Sequence, residues 1–271
     1  MSRRKEGFYK FIRQTRTFTF YKYMEVKWLA EFIKKDIIKA TELAKVNDPL
    51  EWRPQFNNKI QEETWDKQPS SHIHVLCLSS KISTTAMWGH YADKHAGVCL
   101  AFNIPLHVHD DKLNIRHQLS PEARCYPIKR LGKNNNWFMK VTYTPSRPKF
   151  DINDISSTNY RLVTNKGSDW EYESEYRILL DNGISYKKDG TPVYRGMRKF
   201  LSGIILGVKS SHETEELVKK IIDEACLKIP IVRAKLHLSN YSIIAPPFED
   251  ANTAEIDNWT LDFVASNLTD C

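Results

Sequence analysis

The stretch GSDWEYESEYRILL, residues 167–180, sets the hardest condition on any fold this chain can adopt. In an extended strand, positions i, i+2 and i+4 share a face. Glu171, Glu173, Glu175 and Arg177 then form one row that runs into apolar Ile178, Leu179 and Leu180. Like charges along one face repel. Two arrangements can hold such a row: an exposed edge strand that uses charge against edge-to-edge association, or a site whose carboxylates have different tasks. Both stay open on this pattern.

The rest of the chain supplies enough apolar material for a real core, with 271 residues of which 41% are hydrophobic. No apolar run approaches the roughly 18 residues of a membrane span, and the N-terminus MSRRKEGFYKFIRQ lacks the apolar stretch of a secretory signal. A cytoplasmic location with no membrane partner is expected. Cys77, Cys99, Cys125, Cys226 and Cys271 are odd in number, widely spread and without a C-x-x-C pair, which points to reduced thiols.

Charge is unevenly placed. Residues 1–39 hold eleven Lys and Arg against four acids, and residues 123–150 hold seven basic groups and no acid. Within the second run, Arg124, Lys129, Arg130, Lys133 and Lys140 alternate with aromatics such as Trp137. Basic groups that reach phosphates, beside rings that stack bases, are the ingredients of single-strand recognition. Residues 236–271 carry six acids and no Lys or Arg. The expected organisation is a basic arm over 1–17, one catalytic α+β domain over 18–248 with long surface excursions at 105–165, and an acidic tail over 249–271.

Hydrophobic periodicity places the elements. FTFYKYM (18–24) reads as a strand, and Val26, Leu29, Ile33 and Ile37 as one face of a helix. HIHVLCLSS (72–80), GVCLAFNI (97–104), the charged run at 171–180 and FLSGIILGV (200–208) read as strands, with a short helix in TTAMWGHYADKH. Ser211 caps a helix that turns Leu217, Ile221 and Ala225 to one face, and one or two strands follow in IPIVRAKLHLSNYSII. Seven of nine histidines lie within residues 72–117, but their spacing matches no compact ligand pattern such as H-E-x-x-H, and no metal is assigned. The chain has no G-x-S-x-G elbow, no G-x-G-x-x-G and no Walker lysine.

MWGHYADKHAGVCLAF (87–102) resembles the W-x-H-Y-A-x-x-H-x-G-x-C-x-x-F signature of a large bacterial family of unknown function. That family also has Y-K-Y (Tyr21, Lys22, Tyr23), N-D-P-x-E (Asn47, Asp48, Pro49, Glu51), W-x-x-E-x-E-x-R (Trp170, Glu173, Glu175, Arg177) and a closing I-x-G strand (Ile205, Gly207), all present in order. The order of elements also resembles the ADP-ribosyltransferase fold of nucleic-acid-modifying toxins. This second resemblance implies an α+β fold with mixed and antiparallel sheets, flanking helices and a long basic insertion. It makes Tyr21, Lys22 and Tyr23 the first motif, Ser79 or Ser80 the second and Glu173-x-Glu175 the third.

The implied chemistry explains the carboxylates. Cleaving the nicotinamide glycosidic bond of NAD develops positive charge on the ribose, which a carboxylate stabilises; a second carboxylate orients or deprotonates the acceptor. By the resemblance Glu175 holds the ribose and Glu173 serves the acceptor. His90, Tyr91 and Arg177 join the NAD-binding set, with Arg177 either pairing with the row or contacting pyrophosphate. Glu171 is expected to be exposed, and Trp88 and Phe102 to be core. The expected function is an NAD-dependent ADP-ribosyltransferase acting on RNA, or on a protein acceptor, as a toxin or phage-defence effector with a neutralising antitoxin. A metal-dependent nuclease and a non-catalytic nucleic-acid-binding module are the alternatives.

Overall fold

The segment TRTFTFYKYM carries bulky groups on both faces, so the strand it forms must be covered on both sides. A computed structural model describes residues 15–67, 73–107, 125–128, 136–150, 161–180 and 184–256. In chain order the strands are β1 (Thr15–Met24), β2 (Ile37–Lys39), β3 (Thr41–Glu42), β4 (His74–Ser79), β5 (Val98–His107), β6 (Cys125–Ile128), β7 (Asn136–Lys140) and β8 (Thr142–Thr144). They continue as β9 (Asn165–Gly167), β10 (Glu175–Leu180), β11 (Ile184–Tyr186), β12 (Pro192–Arg195), β13 (Leu201–Leu206), β14 (Ile231–Arg233), β15 (Lys235–Leu236) and β16 (Ile243–Ile244). The helices with stated bounds are α1 (Leu29–Lys35), α2 (Lys59–Asp66), α3 (Thr85–Tyr91) and α4 (His212–Glu224).

The main sheet runs β14-β13-β5-β1-β4-β10-β7-β6, with β3 also paired to β4. The fold is mixed α+β: β13 and β14 are parallel and the other pairs of this sheet antiparallel. Phe18, Phe20 and Met24 of β1 enter a core with Phe32, Phe102, Phe138, Tyr176 and the apolar face of α4. Tyr21 and Tyr23 enter a second core on the other face, with Trp88, Cys99, Ala101 and Ile205. Trp88 and Phe102 are fully buried, as expected.

Several expectations are corrected. Residues 168–173 form a 3-10 turn, Ser174 takes a left-handed conformation (φ 45°), and the strand begins only at Glu175. The four charges therefore do not share one strand face. Nor is β10 an edge, since it lies between β4 and β7. The helix after β1 stops at Lys35, where Asp36 closes it in the left-handed region (φ 52°); Ile37 is a strand residue that happens to keep the helical period. In α4 Val218, Ile221 and Ile222 are buried while Leu217 is half exposed and Ala225 is the C-cap.

The 105–165 stretch is not simply a surface excursion. Its β7 is an interior strand, with Phe138 packed on Phe20 and Tyr176 at ring distances of 4.7 and 5.3 Å. Both expected termini are partly built into the domain: residues 15–17 belong to β1, and Arg16 pairs with Glu255 at 2.6 Å. Residues 249–256 pack back on the body through Asp250 and buried Ile256.

Glycine fixes one close approach. A Cβ on Gly207 would lie 2.1 Å from the His95 carbonyl oxygen, while its N–H donates to Gly97 O at 2.9 Å. Backbone cannot give way as a side chain can. Gly207→Ala should destabilise the fold by about 2–3 kcal/mol, read as a lower urea midpoint at unchanged m-value; an unchanged midpoint would refute the contact.

Candidate functional site

Strand β4 shares one edge between two partners. Its last residue, Ser79, pairs with Tyr21 of β1, whereas His74 and Val75 pair with Glu42 and Thr41 of β3. Between these contacts β1 leaves β4, although it stays paired with β5 over its whole length. The Cys77 carbonyl in the gap accepts from Lys22 Nζ at 3.0 Å, so a side chain satisfies what the ladder leaves over. A cavity of about 800 Å³ occupies this wedge and is lined by residues of β1, α1, β2, β4 and α3, a size suited to a small-molecule ligand.

A buried charge cluster forms part of its wall. Arg177, with no exposed surface, donates from Nε to Glu175 Oε1 at 2.9 Å, from Nη2 to Glu175 Oε2 at 3.0 Å and to Glu51 Oε1, and from Nη1 to Val163 O at 2.7 Å. Lys166 Nζ stands 2.6 Å from Glu173, 3.2 Å from Glu51 and 3.4 Å from Glu175, with the Trp170 ring centroid 4.8 Å away. It is placed there by β9, which runs parallel to β8 and sets Lys166 opposite Tyr143. Three carboxylates thus meet two cations. Lys166 stands among the oxygens of all three carboxylates.

The environments of the two adjacent glutamates differ. Burial pushes the Glu175 carboxyl up, but Arg177 and Lys166 outweigh it and hold the group well below the usual carboxylate range. Burial and the neighbouring Glu175 charge raise Glu173, despite Lys166 and the Tyr91 hydroxyl. Burial raises Glu51 as well, against Arg177. Burial opposes the charge on Lys166, yet Glu175, Glu51 and Glu173 keep it protonated, so it is a counter-ion and not a nucleophile. The Cys77 thiol is pushed far up by burial and the Glu175 charge and stays neutral.

The expected residues are brought together, though several have duties other than those assigned. Glu173 and Glu175 both line the cavity. Glu173 Oε1 accepts from the Tyr91 hydroxyl at 2.5 Å, and exposed His90 stacks obliquely near Tyr172 at 5.9 Å. Tyr21 and Tyr23 line the cavity, and their hydroxyls donate to Glu249 O (2.5 Å) and Lys81 O (2.7 Å). Ser79 lines the cavity, and the Ser79 and Ser80 hydroxyls donate to Glu173 O (2.7 Å) and Ser174 O (3.2 Å), stapling the turn that aims Glu173. Of its two expected roles, Arg177 fills that of ion-pair partner; it is fully buried and is not among the residues that line the cavity. Glu171 is exposed, as expected.

Of the nucleic-acid set, Arg124, Lys129, Arg130 and Lys133 lie outside the described residues, Trp137 sits in β7 opposite Leu179, and half-buried Lys140 faces Tyr176. Lys166 belongs to none of the sequence motifs, and Glu51 stands out only within N-D-P-x-E, with no sign of its partner.

The fold and site together define a mixed α+β protein with a charged cleft opened between two strands of its main sheet. Over residues 87–178 the chain is similar to the family described as "Protein of unknown function (DUF2971)", in line with the expected resemblance to such a family. The matched span begins in α3 and ends in β10, so it carries both Tyr91 and the Glu173–Glu175–Arg177 cluster. No curated protein and no solved structure matches the chain. Among the described residues, no helix is long and apolar enough to cross a membrane.

The split between the glutamates has a measurable sign. Unfolded, each titrates near pH 4.3. A raised folded value, as for Glu173, favours the fold below about pH 4.3 and withdraws that contribution as pH rises through the folded value; the depressed Glu175 favours the fold above about pH 4.3 and loses it on further acidification. Urea midpoints followed with pH should therefore show wild type gaining on Glu173→Gln as pH falls from 7 to about 4.5. Parallel curves would refute the assignment. Arg177→Leu, which strands two buried carboxylates, should cost about 3–5 kcal/mol in the same measurement.

Proposed function

We propose that the cleft is the active site of an NAD-dependent ADP-ribosyltransferase acting in the cytoplasm, with RNA as the favoured acceptor. One observation carries this reading: two carboxylates two residues apart line a single cleft, one locked as an anion and the other raised. Environments that push paired groups apart are how acid and base roles are divided. Arg177 and Lys166 hold Glu175 as an anion, whereas Glu173 is raised, so both tasks first divided between the pair pass to Glu173. Glu173 is the group that meets substrate, and Glu175 positions it through Lys166.

The chemistry needs little else. As the bond between ribose and nicotinamide opens, nicotinamide leaves with the bonding pair, and the ionised Glu173 faces the positive charge developing on the ribose. When the acceptor hydroxyl attacks that carbon, Glu173 takes its proton, for which a raised pKa suits a base working near neutral pH. Tyr91 fixes the carboxylate by its 2.5 Å hydrogen bond. The Lys166 ammonium lets Glu173 ionise inside the wall at all.

The acceptor follows from charge, since the run from Arg124 to Lys149 is basic, rich in aromatics and free of acids. An enzyme of this kind damages its own cell unless restrained, so a toxin or phage-defence role with a neutralising antitoxin protein completes the proposal.

The test is incubation of the purified chain with NAD labelled in its adenylate half, together with total RNA, DNA or lysate protein. Label should enter RNA with release of nicotinamide, and Glu173→Gln should lower both by about 10²–10⁴-fold. Label in protein alone would move the acceptor. Absence of both label and nicotinamide, with RNA cut in a chelator-sensitive way, would replace the transferase by a nuclease.

A further inference from the structure

The turn that joins α3 to β5 is held in an unfavourable conformation. Asp93, Lys94 and His95 are consecutive, none is glycine, and their φ angles are 47°, 51° and 74°. Left-handed backbone is disfavoured for every residue with a Cβ, and where it persists the surroundings impose it. Here they do so from both sides. Ala96 N donates to Asp93 O at 2.9 Å and Gly97 N to Ala92 O at 2.8 Å, while Lys209 N donates to His95 O at 3.0 Å and Ser210 Oγ to Ala96 O at 2.8 Å. Gly97 and Gly207 provide the room, since a Cβ on either would strike backbone.

This strain has a visible product. Asp93 and Lys94 are exposed and line the same cavity as Glu173. The lysines that line the cavity divide into two groups. Lys45, Lys166 and Lys187 are ion-paired to Glu42, to the carboxylate cluster and to Glu31. Lys22, Lys39 and Lys94 have no ion-pair partner among the described residues; Lys39 lies on β2 at the side of the cavity, while Lys22 gives one hydrogen bond to a carbonyl in the strand wedge. An ammonium group has three donors, so most of its capacity is turned to whatever fills the cleft.

We infer that Lys94, presented by the strained turn, and Lys22, inside the wedge, form an anion subsite for the diphosphate of a nucleotide substrate. Two point charges from separate elements suit two phosphates, which lysine binds without fixed geometry. The inference rests on reading the cleft as a nucleotide site, but it is separable from the transfer reaction. Under it, glycine at position 94 would ease the turn and is unsuited because it cannot hold the anion.

Titration calorimetry on the full chain tests this with inorganic pyrophosphate, ADP-ribose and adenosine as probes. Wild type should bind the first two with an affinity that falls as KCl rises. Lys94→Gln and Lys22→Gln should each weaken them about tenfold, roughly the effect of a 1.4 kcal/mol change, and leave adenosine unaffected. Lys94→Gly should weaken them equally while the melting temperature holds or rises by up to about 2 °C, a combination that a purely structural turn does not give. Pyrophosphate binding that is absent in wild type, or unchanged in Lys94→Gln, overturns the subsite. Lysine-dependent binding without NAD turnover keeps the subsite and removes the transferase; turnover with an unchanged KM in Lys94→Gln does the reverse.

Discussion

A guanidinium with no exposed surface in an interior strand cannot be left half satisfied, and the architecture around the cleft follows from that. Arg177 needs anionic or carbonyl oxygens for its donors. It draws them from its own strand (Glu175), from the N-D-P-x-E turn (Glu51) and from the segment before β9 (Val163). These pieces are distant in sequence, and the first two carboxylates bring more negative charge than one guanidinium balances. Lys166 is the answer to that excess. Once it is in place, a third carboxylate, Glu173, can be tolerated at the same point, because Nζ touches all three.

The order of dependence explains why neighbouring glutamates are chemically unlike. Glu175 belongs to the scaffold: remove its charge and Arg177 loses two hydrogen bonds at once. Glu173 comes from outside the strand, on a turn stapled by Ser79 and Ser80, and its second oxygen meets a tyrosine hydroxyl and not a second cation. Its charge is therefore less well compensated, and its proton is held more tightly. A strand that carried both groups on one face could not make this distinction, since both would sit in the same ladder environment. The break at Ser174 is what separates a structural carboxylate from a reactive one.

Much of the framework was legible in the sequence. β1, β4, β5 and β13 announced themselves by apolar runs, and Ser211 by its cap. The misreadings share a cause, which is that period alone does not report where a strand or helix stops. Ile37 kept the helical spacing past the left-handed Asp36, and Glu171 and Glu173 kept the strand spacing before the left-handed Ser174. The interior strand β7 was hidden in a basic, Asn-rich stretch, where Phe138 and Met139 are buried. Lys166 was invisible for a different reason, because its importance lies in three partners that only the fold assembles.

The cleft itself comes from a shortage in the sheet. β4 offers one edge to β1 and β3, each of which takes only an end, and the gap between them must be filled by something other than a strand. Lys22 meets the stranded carbonyl, and the chain from α1 to β2 closes the side. Such a wedge combines rigid strand walls with side-chain donors such as Lys22, which places reactive groups more securely than a surface loop would. The strained turn at Asp93–His95 abuts the same wedge through Gly97, whose packing against Met24 O ends β1. The residues that open the sheet and the residues that furnish the cavity are thus largely the same ones, so a change that closed the wedge by completing the β1–β4 ladder would gain sheet hydrogen bonds and lose the site.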